Sequence, residues 1–352
     1  MPVKKKQHYV PKLHLRYFSN DPEKKTINAF LPESKKYLKN IPLKDQGQED
    51  YFYGKGIDAE NFLGIIEDVA APILELINVE KKLPKHGTDP SFSLFYFTGI
   101  MSFRTKSAVD SLNEIINKSI QQFANYDDRL KSAKDQNIVF HHKEPALFNI
   151  ALTSEIIPNA YDLNAKLLLN KTKVKFIASD NPVLMYNQYL EQKKHPYGHS
   201  GLLAKGLEIF FPISPEIMVV YYDDWAYKFG NKKEDVVQIT EPGDITQLNL
   251  LQIINCNKIV FCSNGTPEPY MLKLTNKAKK HMGNDKICMN KINEFIDNEG
   301  NTHVQFHQFG IEPKINLNLS FVKILKKAKK HKLSNFVVQL RNESLRGSFE
   351  KA

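Results

Sequence analysis

His8, Arg104 and Asp180 are three residues whose types and settings could serve one reaction. Histidine moves protons near neutral pH without large tuning. His8 lies in QHYVP (7–11), ahead of a helix start whose first turn favours anions. Arg104, in SFRTKS (102–107), falls among Phe97, Ile100, Met101 and Phe103 on an apolar helical pattern. A charge there needs a carboxylate or phosphate partner, because an unpaired buried charge is costly. Asp180 follows the apolar run FIAS (176–179), and Pro182 stops any ladder beyond it, so polar groups appear at a strand end. Brought together, these residues suit phosphodiester cleavage: His8 moves the proton, Arg104 stabilises phosphorane-like charge, and Asp180 orients His8 or holds a cation. Glu67 with Asp180 is compatible with Mg²⁺, the cofactor otherwise being open. Tyr9, Asn181 and Asn249 are the accompanying substrate contacts. Each candidate also has a structural reading: His8 packed under the first helix and bonded to backbone, Arg104 in a salt bridge to Glu67 or Asp180, Asp180 in an Asx turn.

The elements that must position these residues follow from periodicity. Pro11 begins a short helix that Asn20-Asp21-Pro22 stops, and TINAFLP (26–32) with KKYLKNIPL (35–43) alternates as a hairpin. Asp58 opens a helix with Phe62, Ile66, Val69, Ile73 and Ile77 as its apolar stripe. Residues 91–124 read as one long helix, with a break expected at Gly99, and 143–170 as a helix kinked or split by Pro158. From 174 the pattern changes to β-branched and aromatic runs at 174–186, 207–214 and 217–224. A helix at 244–257 and a strand at 258–264 follow. THVQFHQFG (302–310) alternates as a strand, and FVKILKKAKKHK (321–332) reads as a basic amphipathic helix. The expected fold is α+β, with long helices from the N-terminal half packed on a mainly antiparallel or mixed sheet. Residues 1–300 form a single domain in this reading, and 301–352 a basic strand-helix appendage.

Composition narrows the function classes. An apolar share of 41% with 25% charged residues is that of a globular chain. Cys256, Cys262 and Cys288 lack CxxC spacing and read as reduced structural thiols. No apolar run approaches the ~18 residues of a membrane span, and MPVKKKQHYVPK lacks the apolar core of a signal peptide, so a cytoplasmic location is expected. Of the net charge of +10, residues 301–352 carry +7, from eight Lys and two Arg against three Glu. Lys326, Lys327 and Lys330 could therefore meet phosphates, or the helix could be a solvated face, lie on an anionic membrane, or pack its short apolar side on the core.

Walker and dinucleotide loops, HExxH, GxSxG and Cys/His zinc spacings are absent. The ordered set QHYVPKLHLRYFS, a helix bearing Glu67, FRT (103–105), FIASDNPV (176–183), FPISP (211–215) and QLNLL (247–251) resembles the bacterial family catalogued as domain of unknown function 4238. The resemblance covers roughly residues 5–265 and implies a defined domain, with suspected roles in bacterial defence or toxin-like activity. The functional expectation is a nuclease-like phosphodiesterase acting on nucleic acid or a nucleotide, in antiviral defence. The alternative is a noncatalytic nucleic-acid- or protein-binding module whose polar residues form a structural network. Nucleic acid is the expected partner; a protein partner or homo-oligomer is compatible with either reading.

Overall fold

The computed structural model describes residues 5–195, 201–283, 287–311, 313–333 and 339–342. The chain opens with β1 (Lys6–His8), a short α1 (Lys12–Leu15), and the hairpin β2 (Thr26–Leu31) and β3 (Lys36–Pro42). β4 (Gln48–Asp50) returns to pair antiparallel with β1, setting His8 opposite Gln48. Helices α2 (Asp58–Glu80), α3 (Asp89–Phe103), α4 (Lys106–Phe123), α5 (Asp128–Asp135) and α6 (Pro145–Ile156) follow.

Two expectations about these helices are corrected. The long helix breaks at Arg104 and Thr105, not at Gly99: Arg104 leaves helical geometry, and the Thr105 hydroxyl accepts the Ala108 N–H to cap α4. Gly99 serves close packing instead, since a Cβ there would stand 2.5 Å from Ile157. In α2 the buried side is Leu63, Ala70, Ile73, Leu74 and Ile77, whereas Phe62 and Val69 are exposed. The expected stripe had the right period and the wrong phase at its N-terminal end.

The second half supplies β5 (Asn164–Asn170), β6 (Ala178–Ser179), β7 (Leu184–Tyr186), α7 (Gln188–Gln192), β8 (Glu208–Ser214), β9 (Ile217–Tyr222), β10 (Tyr227–Phe229) and β11 (Val236–Ile239). α8 (Pro242–Asn255), β12 (Val260–Cys262) and α9 (Glu268–Ala278) complete it. The main sheet runs β11-β5-β9-β8-β7, antiparallel except for the parallel β11·β5 pair, and β3-β2-β12-β6 forms a second, antiparallel sheet. Residues 164–170 are thus a strand and not the end of a helix. The run Leu167-Leu168-Leu169 fits either period, and pairing on both sides decides it.

The main sheet is covered on both faces, which explains why every residue of β8 and β9 is buried. Leu167, Ile209, Phe211, Val219 and Tyr221 pack beneath α2, α3 and α6. Their neighbours Leu168, Phe210, Met218 and Val220 face the other way, onto Ile245, Leu248 and Leu251 of α8. The architecture is α+β, as expected. No helix among the described residues is long and apolar enough to cross a membrane.

Beyond β13 (Ile287–Ile296) and β14 (Thr302–Gly310), a hairpin, the chain returns to the core. Leu317 and Leu319 are buried beside α8, and β15 (Val322–Ile324) pairs with β10. Only α10 (Lys326–Lys330) is helical in the stretch read as a longer amphipathic helix. The Val-Lys-Ile alternation satisfies the edge of β10, and the Leu325 N–H donates to the Ala226 carbonyl, ending the strand.

Glu208, at the start of β8, is fully buried and accepts from the Gln188 backbone N–H and side-chain amide. Burial pushes its carboxyl from 4.5 up to about 8. An acid raised in the folded state stabilises fully below its unfolded value, and that contribution is lost as pH rises through about 8. Stability should therefore fall on the order of 2 kcal/mol between pH 6 and 9 through this group. Glu208→Gln, followed by thermal unfolding across that range, should flatten the slope; a slope identical to the parent's would show that Glu208 is not its source.

Candidate functional site

The N-terminal segment is held at both ends. Gln7 is wholly buried, its amide donating to the Gly54 carbonyl and accepting the Tyr53 N–H. The Tyr9 and Val10 N–H groups share the Gly47 carbonyl. Gly47 has φ of +61°, and a Cβ there would meet Val10 at 2.8 Å, so glycine is required. The buried histidine here is His14, on α1 itself, stacked on Phe211 with Nε2 donating to the Pro212 carbonyl at 2.7 Å. Burial drops its pKa to about 4, so it is neutral.

Arg104 ties this segment to the helices. At the α3–α4 junction Arg104 is only 2% exposed. Nη1 donates to Glu67 at 2.8 Å, Nη2 to the His8 carbonyl at 2.7 Å, and Nε to the Tyr53 hydroxyl at 3.1 Å. Desolvation opposes the charge, but Tyr53 and Glu67 more than offset it and raise the pKa. The contact with His8 is therefore made by its backbone. The His8 ring is partly buried and donates from Nε2 to the Lys44 carbonyl at 3.1 Å. That bond fixes the tautomer, leaving the Nδ1 lone pair as the basic position. Burial lowers the His8 pKa, Lys12 and Arg104 adding to the effect, while Lys44 and Glu67 oppose it.

Asp180 is 1% exposed and committed elsewhere. Its carboxylate accepts the N–H groups of Asn257 and Lys258 at 2.8 Å each and of Ile259 at 3.2 Å, fixing the α8–β12 turn. Burial nevertheless pushes its pKa up against those donors. The run before Asp180 was expected as a strand ending there, yet of 174–180 only Ala178–Ser179 pairs regularly. A row of side-chain amides on α8 replaces the ladder. Asn249 serves Ile177 N–H and the Lys175 carbonyl, Gln252 serves Ser179 N–H and the Pro182 carbonyl, and Asn255 reaches the Asn181 carbonyl. Spacing of three keeps these amides on one helix face.

His8, Tyr9, Glu67, Arg104, Asp180 and Asn181 do come to one corner of the molecule. Asn181 accepts from the Thr105 hydroxyl, and Asn257 donates to Asp110, which pairs with Lys106. Asp180 and then Glu49 and Asp110 follow burial as the causes that raise the Tyr9 pKa. No hydrogen bond joins the His8 ring to Asp180 or Glu67. Asn249 lies behind this corner with both ends of its amide used, Tyr270 included. Among the described residues no group of three or more His, Cys, Asp or Glu is arranged to hold a metal ion. The corner is thus a knot of satisfied polar groups with one basic nitrogen, His8 Nδ1, at its edge.

Lys326, Lys327 and Lys330 are exposed on α10, whose Ala328 packs on the opposite side of the main sheet from this corner. There Trp225, half-buried, has the Lys205 ammonium 4.5 Å and the Lys327 ammonium 5.9 Å from its ring centroid. His331 meets the indole edge-on at 5.2 Å, and its pKa is lowered by burial and by Lys205 and Lys193. Asp223 beneath is turned onto the Gly206 and Trp225 N–H groups, and Asp224 is exposed alongside. Sequence reading missed Trp225, Lys205, Tyr53 and Gln7. The lone tryptophan was visible, but its lysine neighbours come from distant segments.

A family model described as "Protein of unknown function (DUF4238)" matches residues 6–266. Neither a curated protein nor a solved structure matches the chain.

Proposed function

Since the chain belongs to the family described as Protein of unknown function, DUF4238, a description that names no activity, we propose its function from geometry: it binds single-stranded nucleic acid at the Trp225 surface without cleaving it. The observation that carries this is a half-buried indole with two lysine ammonium groups over its ring, Lys205 at 4.5 Å and Lys327 at 5.9 Å. An aromatic platform flanked by flexible cations lets a base stack while neighbouring phosphates take the ammonium groups. The exposed Lys326 and Lys330 extend the basic track. The N-terminal polar residues act in this reading as scaffold, because Arg104 spends its donors on Tyr53, Glu67 and the His8 carbonyl.

Anisotropy titration with labelled single-stranded RNA and DNA tests the binding. Trp225→Ala should cost about 1–3 kcal/mol. Lys326→Ala with Lys330→Ala should shallow the salt dependence by about one to two in log–log slope. Affinity unchanged in both variants would remove the proposal.

A second reading, phosphodiester cleavage in bacterial defence, is favoured by one feature, the basic Nδ1 of His8 beside that knot. It requires that cleavage of labelled RNA or DNA, with or without Mg²⁺, disappear in His8→Ala while the fold is kept.

A further inference from the structure

A cleft of about 1110 Å³ includes Lys44 in its lining, the residue whose carbonyl accepts from the His8 ring. Lys12 and Arg16 come from the first helical turns, Lys24 and Lys25 from the turn before β2, and Lys44 from the turn after β3. Two carboxylates stand against these five cations, Glu23 and Glu75. Glu23 pairs with Lys25, and Glu75 accepts the Tyr17 hydroxyl. Asp21 nearby is turned inward onto the N–H groups of Lys25 and Thr26. Lys12, Arg16 and Lys44 have no carboxylate partner among the described residues, and the Lys24 ammonium lies 5.5 Å over the Tyr17 ring. Leu13, Pro42, Leu43, Ala71 and Pro72 supply an apolar floor. The volume lies slightly above the range for small-molecule sites, about 300–1,000 Å³.

Surplus cations around an apolar floor call for a ligand with both characters. We propose that this cleft binds a nucleoside triphosphate, its phosphates among Lys12, Arg16 and Lys44 and its base and ribose on the Leu13, Leu43 and Pro72 floor. The site is separate from the Trp225 surface, so either can fail without the other. A planar guanidinium with several ammonium groups matches a chain of phosphates, each charge-assisted contact contributing roughly 1.5–3 kcal/mol.

Titration calorimetry of the full chain with ATP, GTP, inorganic tripolyphosphate and adenosine tests this. Saturable binding of ATP or GTP is expected, with tripolyphosphate and adenosine each weaker by about tenfold or more. Arg16→Glu with Lys44→Glu should weaken the nucleotide by about tenfold or more, and the neutral pair Lys12→Ala with Arg16→Ala should act in the same direction. All three side chains are exposed, so circular dichroism should be unchanged. Lys326→Glu with Lys330→Glu should leave nucleotide affinity as it was. The proposal is overturned if neither triphosphate binds, if tripolyphosphate binds as tightly as ATP, or if the cleft variants bind like the parent.

Discussion

Arg104→Ala is expected to lower unfolding free energy by about 3–5 kcal/mol, the usual cost of removing one partner from a buried, hydrogen-bonded ion pair. Three contacts disappear together: Glu67, the Tyr53 hydroxyl and the His8 carbonyl. The last ties β1 directly to the α3–α4 junction, and the Tyr53 hydroxyl, which also reaches the His8 carbonyl, loses its Arg104 donor, so QHYVP should loosen first. Arg104→Lys keeps the charge but cannot span the three acceptors, and should recover only part of the loss. Urea unfolding, with hydrogen exchange at Gln7 and Tyr53, provides the readout. An alanine variant as stable as the parent would mean that the guanidinium is held for a ligand and not for the fold.

Asp180→Asn should be nearly as damaging, costing about 3 kcal/mol or more. Asparagine matches aspartate in shape but turns an NH₂ toward the cluster of Asn257, Lys258 and Ile259 N–H donors. At least one buried donor then loses its acceptor. Asp180→Ala leaves all three without one, and should be at least as destabilising. Were Asp180 instead a proton carrier or metal ligand, the asparagine variant would stay as stable as the parent and lose only activity. Denaturant midpoints of the two variants separate these outcomes.

Much of the fold was legible because its signals are local. The hairpin at 26–42, the strands at 207–224 and the helix at 244–257 show their period within a few residues. The misses share another cause. At 164–170 and 321–325 the apolar spacing fits two periods, and distant partners choose: β9 with β11 for the first, β10 for the second. At Gly99 a residue read as a helix breaker is there for contact with Ile157.

The candidate site divides in the same way. That Arg104 would need a carboxylate such as Glu67 was readable from residue type, since buried charges must find partners. The roles of His8, Arg104 and Asp180 were not. Whether Arg104 meets the His8 ring or its carbonyl depends on the β1·β4 register, and whether Asp180 is free depends on three N–H groups from a turn far along the chain. The amide row Asn249, Gln252 and Asn255 looks in sequence like ordinary helix polarity. It becomes meaningful only once FIASDNPV lies along it.

Trp225 is the sole tryptophan of the chain, so intrinsic fluorescence reports on the proposed surface alone. The most direct measurement is its emission during titration with single-stranded RNA at low and at physiological salt, with the oligonucleotide recovered and sized afterwards. A saturable change whose midpoint moves to higher RNA concentration with salt, and intact oligonucleotide at the end, is the predicted result. Unchanged emission at low salt, or an oligonucleotide shortened by the parent but not by His8→Ala, would contradict it.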